Sequence, residues 1–63
     1  MSKSELIGEV VAFSFTHMKA VEQWEHGDIK TYWICEDNTV CVRYEDGQEY
    51  HYKRLDDGYI EYW

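Results

Sequence analysis

A chain of 63 residues has room for one small domain, since at this size only about 60% of the unfolded surface is buried on folding. Its 13 Asp and Glu against 6 Lys and Arg give a formal net charge of -7, which excludes nucleic-acid phosphates and anionic membranes as expected partners, because both are held by Lys and Arg. A hydrophobic content of 44% with 17% aromatics excludes a disordered chain, and two cysteines are too few for a disulfide-dense secreted scaffold.

The N-terminal part, residues 1–28, carries two periods at once. Val11, Phe13 and Phe15 alternate with Ala12, Ser14 and Thr16, as in a strand, whereas Leu6, Val10, Val11, Ser14, Met18 and Val21 fit a helical stripe. The β-branched and aromatic density of Val10 to Thr16 favours the strand. Residues 17–25 then read as a short helix or loop, with Thr16 as N-cap and Gly27 as the stop. Glu9 interrupts the apolar run that a signal peptide needs, and nothing approaches the ~18–20 apolar residues of a membrane span. The expectation is a cytoplasmic protein with reduced thiols.

Residues 29–63 are punctuated by three tripeptides of one chemistry: Glu36-Asp37-Asn38, Glu45-Asp46-Gly47 and Asp56-Asp57-Gly58. An acidic pair suits the first positions of a type I turn, and Asn or Gly tolerates the left-handed residue that closes a three-residue hairpin loop. Closing the middle loop with Tyr44 opposite Gln48 sets Val42 against Tyr50, Val40 against Tyr52 and Arg43 against Glu49. A two-residue turn would set Val42 against His51 and mix the faces. The same rule sets Ile34 against Val40, Tyr32 against Val42, Tyr52 against Tyr62 and Lys53 against Glu61. All apolar partners then share one face: Tyr32, Ile34, Val40, Val42, Tyr50, Tyr52, Ile60 and Tyr62.

The result is a four-stranded antiparallel meander with strands near 30–35, 39–44, 48–54 and 59–63, whose apolar face the first 28 residues must cover. With the N-terminal strand it makes a mainly β fold, a small five-stranded antiparallel barrel or roll forming a single domain over residues 1–63. The alternative is α+β, one helix from about Ser4 to Glu25 lying on the four-stranded meander. In arrangement, and in the stretch Val42-Arg43-Tyr44-Glu45-Asp46-Gly47, the chain resembles the small barrels of the Tudor and Src-homology-3-like superfamily. The resemblance implies a partner-binding module, with an aromatic cage to which no residue of this chain is assigned.

On the opposite face Cys41 meets His51 and Trp33, with Cys35 diagonal to it. A thiol beside an imidazole is the most enzyme-like grouping in the chain. No oxyanion hole or orienting third group accompanies it, and the reading is a packed cysteine and no enzyme. Zinc on Cys35, Cys41 and His51 with His17 or His26 lacks the closely spaced Cys pairs of structural sites, and no metal or other cofactor is expected. A Cys35–Cys41 disulfide is disfavoured because diagonal neighbours sit ~7–8 Å apart.

Six of the 13 acids fall in the three hairpin loops, and four of them, Glu36, Asp37, Asp56 and Asp57, share one end of the sheet. Together with Trp33 and Trp63, aromatics hard to bury in so small a domain, they form the expected partner-binding set. The expected function is that of a small acidic non-enzymatic binding protein, an inhibitor of phage or mobile-element type that docks on a basic, nucleic-acid-handling site of a larger protein. The alternative is peptide recognition through exposed aromatics. A homodimer through an open strand edge or an exposed Trp is compatible with both.

Overall fold

A computed structural model describes residues 2–63, and it begins with a helix, α1, over Lys3–Ala20. Ser2 caps it: the Ser2 side chain accepts a hydrogen bond from Glu5 N at 3.2 Å, and the Ser2 carbonyl accepts from Leu6 N at 2.9 Å. Ser2 followed three residues later by Glu5 is the sequence signature of a capping box. Val10, Phe13, Ser14 and His17 recur at helical spacing on the buried face.

The expected N-terminal strand and five-stranded barrel are therefore wrong, and the helical alternative holds. The period-two reading pooled Val11, Phe13 and Phe15 on one face. The helix separates them, burying Phe13 to 2% exposure and leaving Val11 57% and Phe15 60% exposed. The reason lies in the sheet: one more strand would leave most of the apolar face wet, whereas 18 residues of helix span about 27 Å and lie across it. Strand propensity depends on such context and gives way to it. Thr16, expected as an N-cap, lies inside the helix, which ends at Ala20.

The sheet follows the expected meander. Strands β1 (Ile29–Ile34), β2 (Val40–Tyr44), β3 (Glu49–Arg54) and β4 (Ile60–Tyr62) pair in chain order, all antiparallel. The sheet stays open, with β1 and β4 as its edges. The register is the one derived from the loops: Tyr32 with Val42, Ile34 with Val40, Val42 with Tyr50, Val40 with Tyr52, and Tyr52 with Tyr62.

All three loops close alike. Cys35 N donates to Thr39 O, Tyr44 N to Gln48 O and Leu55 N to Tyr59 O, at 2.8 to 2.9 Å. Asn38, Gly47 and Gly58 supply the left-handed residue, with φ of 68°, 89° and 90°.

The segment between α1 and β1 is stapled to the β2–β3 loop. Glu45 N donates to Asp28 O, Asp46 N to His26 O and Asp28 N to Glu45 Oε1, while Trp24 Nε1 donates to Gly27 O. Gly27, at φ 78°, leaves no room for a Cβ, since Glu45 Cβ would lie 3.0 Å away.

Between helix and sheet the core is Val10 and Phe13 against Val40, Val42, Tyr44 and Tyr52, with Leu6, Met18, Trp24, Ile29, Tyr50 and Ile60 packed around it. Phe13 stacks on Tyr52, and the Arg54 guanidinium lies 5.4 Å from the Phe13 ring while forming a two-pronged ion pair with Glu9. That pair ties the helix to β3. Phe13→Ala should lower unfolding free energy by about 3–5 kcal/mol, whereas Phe15→Ala should stay within about 0.5 kcal/mol. Urea unfolding of the two variants checks this, and equal losses would favour the strand in which both rings share a face.

Candidate functional site

Each hairpin loop uses its second acid to hold its own turn. Asp37 Oδ1 accepts from Thr39 N at 3.1 Å, Asp46 Oδ1 from Gln48 N at 3.0 Å and Asp57 Oδ1 from Tyr59 N at 3.1 Å. Asp37 also accepts from the Thr39 hydroxyl at 2.6 Å, and these bonds hold its carboxyl below the usual carboxylate range. Asp46 is held low as well, first by the hydrogen bond with His26 Nδ1 at 2.6 Å.

Of the expected partner-binding acids, Asp37 and Asp57 are thus turn formers. Glu36 and Asp56 are exposed in the same loops. Among the described residues the ion pairs engage Glu9, Asp46 and Glu49 and none of these four acids.

The two acidic loops share an end of the sheet, as expected, and they are staggered. Thr39 comes level with Lys53, one step beyond the Val40–Tyr52 pair, whereas Leu55 closes the last loop two residues farther on. At the usual strand rise, loop 56–58 projects about 7 Å past loop 36–38.

Trp33 and Trp63 lie on the outer face, at the two ends of one row that crosses all four strands. Trp33 pairs with Cys41, Cys41 with His51, and His51 exchanges both backbone hydrogen bonds with Trp63. The Trp63 ring, 51% exposed, lies parallel to the His51 imidazole at 5.5 Å between centroids. Trp33 is half-buried under the Arg43 guanidinium, which also pairs with Glu49.

The middle of this row departs from expectation. Cys35 and Cys41 are joined by a disulfide, with a Cα–Cα separation of 6.6 Å. The expected ~7–8 Å applies to a flat sheet; right-handed twist shortens one diagonal of each set of neighbours, bringing these two within bridging range. The reduced thiols expected from composition are therefore not what the structure holds.

His51 Nδ1 lies 3.1 Å from Cys41 Sγ and 3.9 Å from Cys35 Sγ. His17 and His26, expected as further ligands of a zinc site here, are elsewhere: His17 is in the core and His26 is beside Asp46 at the other end of the sheet.

Two features were not found from sequence. The first is a buried polar chain under the helix. His17, 3% exposed, is hydrogen-bonded through Nδ1 to the Tyr52 hydroxyl at 2.6 Å, and Tyr52 to the Tyr44 hydroxyl at 2.6 Å. The chain is satisfied when neutral His17 accepts from Tyr52 and Tyr44 donates to Tyr52. Tyr62, Tyr50 and Trp24 close round the imidazole at 3.9, 4.5 and 4.9 Å between ring centroids. A lone His in a helix carries no sequence mark of such partners. The second is the exposed stripe Ile7, Val11, Phe15 at i, i+4, i+8 spacing; the strand reading takes Val11 and Phe15 into its apolar face and leaves Ile7 out.

Burial, with like-charge repulsion from His26, holds the His17 pKa below the ordinary histidine value, while burial pushes the Tyr52 and Tyr44 hydroxyls up. A histidine depressed in the folded state contributes stability above its unfolded pKa, about 6.5, and loses it as pH falls, because the unfolded chain takes the proton first.

Comparison of the chain with protein-family models, with curated proteins and with solved structures finds no match. No helix among the described residues is long and apolar enough to cross a membrane.

Urea midpoints measured from pH 7.5 to 5 should fall with acidification for the wild type and change distinctly less for His17→Phe. Parallel pH profiles would contradict a buried neutral His17.

Proposed function

We propose that the protein is a small acidic binding protein without catalytic activity, which docks through the loop end and outer face of its sheet on a basic surface of a larger protein. A surface that handles nucleic acid is the kind of site this charge fits, and the protein would act there as an inhibitor or adaptor. The observation that carries the reading is the distribution of partners. Arg43 and Arg54 are engaged by Glu49 and Glu9, while Glu36 and Asp56 sit exposed at one end with no ion pair among the described residues. Unpaired charge in these two loops adds to a negative field that steers a cationic partner and is screened beyond about 10 Å at 0.1 M salt.

A second reading, capture of a peptide by aromatics, draws on the half-exposed Trp63 ring over His51. The barrel of the Tudor and Src-homology-3-like superfamily is absent from this open sheet, so that reading rests on Trp63 and Trp33 alone.

The test spares the turn-forming acids. Glu36→Lys combined with Asp56→Lys reverses the charge and leaves the Asp37 and Asp57 turn bonds in place. Affinity capture from extract of the source cells should recover a basic partner with the wild type at low salt, and neither at high salt nor with the double variant. Capture that persists at high salt and is lost with Trp63→Ala would support the aromatic reading instead. Capture indifferent to all these changes would overturn both.

A further inference from the structure

The Cys35, Cys41 and His51 side chains offer three metal-ligating atoms, all within 4.8 Å of one another. The hairpins account for the convergence. The three-residue loop puts Cys35 at its base on the outer face, diagonal to Cys41. Counting back from the Tyr44–Gln48 bond, Cys41 and His51 form a pair without mutual backbone hydrogen bonds, the kind in which facing Cα atoms approach to about 4.5 Å. His51 is further held by the Trp63 ring and by both backbone bonds to Trp63.

We propose that this cluster is a redox-gated zinc site: oxidised, it is the Cys35–Cys41 disulfide; reduced, it binds one Zn2+ through Cys35 Sγ, Cys41 Sγ and His51 Nδ1. Two thiolates and an imidazole are a donor set suited to zinc. With Zn–S of about 2.3 Å and Zn–N of about 2.0–2.1 Å, tetrahedral ligands stand about 3.5–3.8 Å apart. The Sγ–Nδ1 separations of 3.1 and 3.9 Å already bracket that edge. The main change is that the two sulfurs must part, and the 6.6 Å between the Cα atoms leaves them room to do so.

Three ligands from this chain leave the fourth position to water or to a donor from a partner. The chemistry balances. A dithiol reductant gives two electrons and two protons to the bridge and becomes a disulfide itself, and zinc binding then releases the two thiol protons. The cluster lies on the face used for docking, yet the metal site stands independently of that role.

The test is zinc titration of the full chain, oxidised and dithiol-reduced, with Co2+ as a spectroscopic stand-in. The reduced protein should take up one ion per chain, with a thiolate-to-cobalt absorption band and a change in Trp fluorescence from Trp63 over His51. The oxidised protein should bind none. His51→Ala should weaken binding by more than about tenfold, the scale on which even an outer partner of a ligand matters. If the reduced chain loses structure, zinc should restore its circular dichroism. Overturning results are a reduced chain that takes up no zinc, zinc that fails to restore lost structure, or His51→Ala binding as tightly as wild type.

Discussion

Everything in this molecule depends on the register set by three identical hairpin loops. Each closes on one left-handed residue, Asn38, Gly47 or Gly58, and each is braced by an aspartate that accepts the backbone N–H two residues on. A slip of one residue would turn every side chain of a strand to the other face. With the register fixed, Val40, Val42 and Tyr52 face the helix, while Trp33, Cys41, His51 and Trp63 form a row on the opposite side. Core and candidate site are thus consequences of the same turn chemistry.

The helix completes what the sheet requires. A meander of four short strands has one apolar face and little stability of its own, and α1 covers that face with Val10 and Phe13 while the Glu9–Arg54 ion pair fixes one flank. The aromatic chain from His17 through Tyr52 to Tyr44 lets polar groups enter this core without an unmet hydrogen bond: among the described residues no buried side-chain polar atom lacks a partner. Cover is partial, and Tyr32 and Ile34 on the β1 edge stay exposed, as do Ile7, Val11 and Phe15 on the helix.

The meander was legible because its signals are local. An acidic pair followed by Asn or Gly needs no knowledge of the rest of the chain to be read as a turn, and face sorting then picks the loop length. The helix was misread because its deciding influence is not local: Val10 to Thr16 favours a strand by composition, and only the area of sheet to be covered overrules it. Ser2 and Glu5 carry a helix-start signature that the strand reading passes over. The cysteine pairing was misjudged because flat-sheet geometry ignores twist, and His17 because its hydrogen-bond partner, Tyr52, is 35 residues away in the chain. Of the six residues expected to bind a partner, Asp37 and Asp57 also hold turns, and both stay exposed beside Glu36 and Asp56.

The register is open to direct measurement. Antiparallel pairs without mutual hydrogen bonds bring facing Hα atoms close enough for strong nuclear Overhauser effects. The structure requires them between Tyr32 and Val42, Cys41 and His51, and Tyr52 and Tyr62. Observing these three would establish the faces on which core and site depend. Effects linking Cys41 to Tyr50 or Tyr52 instead would mean a slipped sheet, and would contradict the account at its root.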